Sequence, residues 1–143
     1  MLDAYRDLID DLLGTPSEIR ELVEASGGSG ASPETMRLVA EIRNRDRAVL
    51  ERVQAITREE TPYLPALRIS ESADDEDLSL LLEAMEVARG DLVSLLINLS
   101  LKDWTRGAID ETEGEITLAD EVERHVEFDE QQRLQLRERV SGA

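Results

Sequence analysis

Apolar residues recur every three or four positions through most of the chain, which is the spacing of helices with one buried side. The first such segment starts at Leu2 and is interrupted at "GTPSE". There Pro16 cannot continue a helix, and Thr15 can cap a new, shorter one that ends before "SGGSGAS". Three further helices are predicted from Ser32 to about Thr57, from about Asp75 to Leu101, and from Thr117 to about Val140.

The connections between these segments carry turn-forming residues. "SGGSGAS" is a Gly/Ser loop, "TPYLPALRISESADDED" contains two prolines and an acidic run, and "KDWTRGAIDETEGEI" is rich in turn formers. No stretch alternates convincingly as a β-strand. We therefore predict an all-α protein, an up-and-down four-helix bundle with a short extra helix after helix one, in a single domain over residues 1–143.

Composition narrows the class of protein. Apolar residues make up 41% and charged residues 34%, which is typical of a globular chain. The chain has no Cys, so disulfides, thiolate zinc sites and cysteine nucleophiles are excluded. Because the first residues are acidic, a signal peptide is not expected, and no run approaches the roughly 20 apolar residues of a membrane span. We expect a cytoplasmic protein.

The net charge of −17 excludes further function classes. It repels a phosphate backbone and an anionic membrane surface, so neither nucleic acid nor membrane is an expected partner. The one basic cluster, "RNRDR" at residues 43–47, is interleaved with acids. The simplest consequence of the charge is solubility.

Two helices have polar residues inside their apolar stripes. Arg89 falls in the middle of the leucine stripe of the third long helix. An unpaired buried guanidinium would be very costly, so we expect a carboxylate partner, with Asp46 and Asp129 as the candidates. The pair either fixes helix register or anchors a substrate anion.

On the last helix, His125, Asp129 and Gln132 occupy positions where apolar residues are expected. His125 and Asp129 are four residues apart and can bond along the helix or both reach a metal ion. A polar network, a metal site and a solvent-filled groove are the alternatives. No Ser–His–Asp arrangement is indicated, and "GGSG" lacks the strand and Lys of a phosphate loop.

The order of several motifs resembles the DinB-like (damage-inducible) four-helix bundles, which include bacillithiol- and mycothiol-linked transferases and the mycothiol-dependent maleylpyruvate isomerase. The motifs are the "TP" break, "SPE", "RDRAVLERV", "YLPAL", "ARGDLVSLLINLSLKDWTRGAI" and "GEITLADEVERHVEFDEQQRLQL". Together they span residues 15–137. The resemblance implies a bundle that binds a divalent metal through three histidines, one on helix two and two on the last helix.

This chain departs from that pattern at every metal position. The resemblance places Phe128 and Gln132 where the last helix has its two histidines, and Glu41, or in another register Val39, at the third. Phe cannot coordinate a metal and Gln offers only a neutral oxygen. The family metal site is therefore expected to be degenerate, and a rearranged set of His125, Asp129 and Glu41 is the remaining route to a metal.

The sequence leads to two main hypotheses. The first is a DinB-like protein that has lost the three-His site, has no cofactor and serves binding or assembly; the resemblance implies a homodimer. The second is a divergent thiol-dependent transferase or isomerase. Its polar groove would use Glu41, Arg89, His125, Asp129 and Gln132, with or without a metal such as Zn²⁺ or Ni²⁺. An interaction module of a stress or toxin–antitoxin-like system is a third interpretation, supported by acidity alone.

Overall fold

The computed structural model describes residues 2–27, 32–69 and 77–141. Within these ranges an all-α bundle is formed by four long helices: α1 Leu2–Ala25, α2 Pro33–Arg58, α3 Leu78–Ile97 and α5 Leu118–Ser141. A single turn, α4 Leu101–Trp104, follows α3. The predicted bundle class is confirmed. The predicted start of the third helix at Asp75 and most of the Gly/Ser loop lie outside the described residues.

The helix starts follow from capping side chains. Ser32 accepts a hydrogen bond from the Thr35 amide, with Pro33 at the first helical position of α2, as the sequence predicted. At the start of α5, the Thr117 amide donates to the Asp120 carboxylate while the Asp120 amide donates to the Thr117 hydroxyl. This reciprocal pair is a capping box, and the predicted role of Thr117 is confirmed.

The first helix is longer than predicted. α1 is continuous through Pro16, so the expected break and the short extra helix after it are wrong. Thr15 does not cap a new helix, since its side chain is fully buried within α1. A proline inside a helix removes one backbone hydrogen bond and costs about 3 kcal/mol or more. The Leu12 carbonyl, which Pro16 leaves without a helical donor, accepts a hydrogen bond from a side chain of another helix.

Two apolar clusters show which ends of the helices lie together. One cluster joins the C-terminal half of α1 and of α5 to the N-terminal half of α2 and of α3, for example Val23 and Leu136 with Leu38 and Leu81. The other cluster joins the opposite halves. Therefore α2 and α3 run parallel, and α1 and α5 run parallel to each other in the opposite sense. This order differs from the predicted up-and-down order because α3 begins at the same end of the bundle as α2.

A small sheet covers one end of the bundle. Strand β1 Tyr63–Leu64 pairs in parallel with β2 Gly107–Asp110, which pairs antiparallel with β3 Gly114–Thr117. The absence of strands in the prediction was wrong, since strands of two and four residues are too short to produce a clear alternating pattern. Their inward side chains extend the second cluster. None of the described helices is long and apolar enough to cross a membrane.

Candidate functional site

The midpoint of the bundle, between the two apolar clusters, is occupied by a buried ion network centred on Arg89. Its Nε donates to Asp46 Oδ1 at 2.9 Å, and its terminal nitrogens donate to both carboxylate oxygens of Asp129 at 2.7 and 2.8 Å. All three residues are at most 2% exposed. The predicted carboxylate partners of Arg89 are confirmed, and they come from two different helices, α2 and α5.

Helix α1 contributes to this network through the "TP" sequence. Arg89 Nη1 donates to the backbone carbonyl of Leu12 at 2.8 Å. Leu12 lies four residues before Pro16, and because proline has no N–H, this carbonyl has no helical donor. Thr15 donates from its hydroxyl to Asp129 Oδ2 at 2.8 Å. Pro16, which was expected to end a helix, instead leaves a helical carbonyl free to accept a hydrogen bond from Arg89.

His125 connects the network to α2 on its other side. Arg45 Nε donates to His125 Nδ1 at 3.1 Å, and His125 Nε2 lies 2.6 Å from Asp46 Oδ1. Since Nδ1 accepts a hydrogen bond from an arginine, the ring proton is on Nε2 and is donated to Asp46. The contact of 3.5 Å between Arg89 Nη2 and Nε2 then joins two donors and is not a hydrogen bond.

Within this network, the positive charge of Arg89 is paired with the carboxylates of Asp46 and Asp129. Burial works to lower the pKa of Arg89, but the charges and hydrogen bonds of Asp46 and Asp129 outweigh it and leave that pKa raised. Asp46 Oδ2 is the buried side-chain atom without a partner in the described part of the chain. A polar groove lined by Arg89, His125 and Asp129 was one of the alternatives from the sequence, beside a buried ion pair and a polar network. These three residues lie in the core, because paired charges can be buried.

Two of the metal positions implied by the family resemblance, Glu41 and Gln132, contact each other. Gln132 Nε2 donates to Glu41 Oε2 and to the Leu38 carbonyl, both at 3.1 Å, and Glu41 forms an ion pair with Arg37. One turn earlier, Phe128 packs against the first apolar cluster. Val39, the alternative position on α2, is fully buried in that cluster.

These residues do not fit a divalent metal. Phe128 has no donor atom, the Gln132 amide nitrogen is turned towards Glu41, and Gln135 donates to Gln132 Oε1 at 3.3 Å. The guanidinium of Arg45 lies 4.8 Å from the centre of the Phe128 ring, so a cation already occupies this side of the ring. Among the described residues no group of three or more His, Asp and Glu side chains is arranged to hold a metal ion.

The rearranged ligand set is not assembled either. His125 and Asp129 direct their polar atoms to Asp46, Arg45, Arg89 and Thr15, while Glu41 bonds to Gln132 and Arg37. Each candidate donor is therefore used in a separate internal contact. A metal could bind only by displacing an arginine or an amide from its partner.

A second buried ion network was not anticipated from the sequence. Arg52 on α2 donates to Glu121 on α5, to Asp110 on β2 and to the Pro65 carbonyl. Arg52 and Glu121 are 7% and 1% exposed. The pattern that found Arg89 could have found Arg52, because Arg52 also lies next to the apolar stripe of its helix, beside Val49 and Val53. This network ties the sheet and the 59–69 connection to the bundle.

Asp110 makes the second network sensitive to acid. Burial raises the pKa of Asp110, but the hydrogen bond from Arg52 and those from the Thr112 and Glu113 amides lower it more, to below its ordinary value of 3.8. A carboxyl whose pKa is depressed on folding contributes stability above its unfolded pKa, and this contribution is lost as the pH falls through the folded pKa.

We therefore expect the free energy of unfolding to fall as the pH drops below about 4, and Asp110→Asn to show a smaller fall from a lower starting stability. Urea unfolding between neutral and acidic pH measures both. The matched control is Glu115→Gln, on the exposed side of the neighbouring strand. Equal acid sensitivity in wild type and Asp110→Asn would contradict this role of Asp110.

Comparison with known proteins gives a fold relationship. No protein-family model matches the sequence, and no curated protein is similar to it. A solved structure is similar: YfiT from Bacillus subtilis, described as a probable metal-dependent hydrolase with an unusual four-helix bundle topology. The TM-score is 0.80 at 19% identity, over 97% of this chain and 87% of that chain. The chain thus shares the four-helix bundle fold of that structure, and the predicted four-helix bundle is confirmed.

Proposed function

We propose that this protein is a binding or assembly protein that uses a DinB-like bundle without the metal chemistry of the fold. The observation that carries the proposal is the state of the three implied metal positions. Gln132 and Glu41 bond to each other, and Phe128 packs beneath the guanidinium of Arg45. Metal-dependent hydrolysis needs several ligands and an open coordination position on a bound ion, and these side chains offer one carboxylate, that of Glu41, which is bonded to Gln132 and Arg37.

The buried network supports the same proposal. A catalytic polar group must reach its substrate, whereas Arg89 and His125 are 2% and 0% exposed and bond to internal partners. Their contacts link α1, α2, α3 and α5, as expected of charges that fix how the helices pack. The competing enzymatic hypothesis, a thiol-dependent transferase or isomerase, has no such direct support. The homodimer stays a prediction from the resemblance.

Metal titration tests the proposal. Calorimetry with Zn²⁺, Ni²⁺ and Mn²⁺ should give no stoichiometric heat of binding to the wild-type protein, because every candidate ligand has an internal partner. The informative variant is His125→Ala, which removes the strongest remaining metal ligand. A tight one-to-one site in the wild type that disappears in His125→Ala would overturn the proposal and favour the enzyme.

A further inference from the structure

Helix α3 has apolar side chains on its solvent side as well as on its buried side. Leu80, Val87 and Ile97 are 55%, 64% and 60% exposed. Val87, Gly90, Ser94 and Ile97 follow one another at spacings of three and four residues, and Leu80 lies two turns before Val87. These five residues form the outer face of α3, which is about 25 Å long. Their spacing is that of a helix face that packs against another helix.

The outer face borders a groove between α1 and α3. The groove has a volume of about 460 Å³, with Leu13 and Pro16 on its α1 side and Gly90 and Val93 on its α3 side. Leu13 is itself exposed. Apolar groups from two helices therefore surround a concave strip at the surface, which is a shape that accepts the apolar side of a third helix.

Gly90 is not explained by packing inside this chain. It lies in the middle of α3, where glycine destabilises a helix relative to alanine. A β-carbon at this position would meet no packed neighbour within 4 Å, so no internal contact requires its absence. A glycine on an exposed helix face does allow the backbone of a partner to approach closely.

The charged residues along the groove leave a surplus of negative charge. Its lining includes the carboxylates of Glu21, Glu24 and Glu86. It also includes two arginines, of which Arg20 is bonded to Glu86 and Arg89 is bonded to two buried carboxylates of the core network. Glu21 and Glu24 have no ion pair within the described ranges. A partner that enters the groove therefore meets two unpaired acids at its rim.

We propose that the groove and the outer face of α3 bind a basic amphipathic helix of another protein. Its apolar side packs against Leu13, Val87 and Ile97, and its Lys or Arg side chains pair with Glu21 and Glu24. Complementary charge favours this occupant over a second copy of the chain, which has a net charge of −17 and would bring two acidic rims together. A small cation would leave most of the apolar outer face uncovered.

The inference rests on the proposed function, since it names the partner class of a binding protein. Its test is run with a metal chelator in the buffer, so the result is independent of the metal titration. Absence of peptide binding would remove the partner class, whereas a stoichiometric metal site would remove the proposed function.

The probe is a fluorescein-labelled peptide of about 18 residues, long enough as a helix to cover the outer face. It has Leu at helical spacing on one side and Lys on the other, and fluorescence anisotropy measures its binding. We expect saturable one-to-one binding to the wild-type protein that weakens as NaCl is added. A scrambled peptide of the same composition and a peptide with Glu in place of Lys should each bind at least about tenfold more weakly.

Two variants test the apolar contact. Val87→Gln and Gly90→Gln add polar bulk at exposed positions, so the core is left intact. Each should weaken peptide binding about tenfold to a hundredfold, as expected when a close contact is overpacked, without lowering the melting temperature. The matched control is Leu134→Gln, which alters an exposed leucine on α5 outside the groove and should leave the affinity unchanged.

A pair of double variants tests the charge. Glu21→Gln with Glu24→Gln should weaken peptide binding and reduce its dependence on NaCl. Glu127→Gln with Glu130→Gln removes the same charge from exposed positions on α5 and should change neither quantity at physiological salt.

Four outcomes would overturn the proposal. The first three are the absence of saturable binding, equal binding of the scrambled peptide, and unchanged affinity in both Val87→Gln and Gly90→Gln. The fourth is a wild-type dimer in sedimentation velocity that Val87→Gln dissociates and Leu134→Gln does not, because the occupant of the outer face is then a second copy of the chain.

Discussion

Replacing Arg89 by Met is expected to lower the free energy of unfolding by about 3–5 kcal/mol. The substitution keeps the volume of the side chain but leaves two carboxylates, Asp46 and Asp129, buried in the core without their cation. The Leu12 carbonyl also loses its donor, since Pro16 cannot supply one. Chemical denaturation followed by circular dichroism measures the loss, and the unfolding slope shows whether the native state stays compact.

Two further variants separate charge from packing. Arg20→Met breaks an ion pair with Glu86 on the surface, where the side chains are 39% and 41% exposed, and should cost less than about 1 kcal/mol. Adding Asp46→Asn and Asp129→Asn to Arg89→Met should recover much of the lost stability, because no buried charge then remains unpaired. If Arg89→Met is as mild as Arg20→Met, the network does not hold the bundle together.

The second large effect is a gain of metal binding. We expect Phe128→His with Gln132→His to create a one-to-one site for Zn²⁺ or Ni²⁺, since two histidines four residues apart on α5 would face the Glu41 carboxylate. Phe128→His also replaces the phenyl ring beneath Arg45 by an imidazole, so a bound metal would have to displace the Arg45 guanidinium. Calorimetry compares the double variant with the wild type under identical conditions.

The control for this gain of metal binding removes the Glu41 carboxylate. Adding Glu41→Gln to the double variant should weaken the new site, because an anionic oxygen ligand is replaced by a neutral one. Failure of the double variant to bind metal while it remains folded would show that these positions do not converge as described. Equal binding in the wild type would show that the native side chains already form a site.

Hydrophobic periodicity was sufficient to predict an all-α bundle and the positions of α2, α3 and α5. It also identified Arg89, because an arginine inside a leucine stripe must find a carboxylate, and Asp46 and Asp129 were the acids on facing stripes. These predictions depend on local spacing and on the cost of burying charge. Both are properties of the sequence itself.

Features that depend on long-range packing were not predicted correctly. Pro16 suggested a break because its effect on a helix is local, whereas its lost hydrogen bond is offset by Arg89, which is 73 residues away in the sequence. The parallel order of α2 and α3 depends on contacts between distant parts of the chain, and no periodic pattern in residues 59–77 of the sequence indicates it. Arg52 lies beside the apolar stripe of α2 and could have been recognised, but its partner Asp110 lies on a strand too short to detect.

We infer that internal side chains occupy the polar centre of this fold and leave no ligand for a metal. The chain has a single histidine, so ¹⁵N spectra of its imidazole report on His125 alone. We expect a protonated Nε2, an unprotonated Nδ1 that accepts from Arg45, and no change on adding one equivalent of Zn²⁺. A zinc-dependent shift of either ring nitrogen would contradict the account.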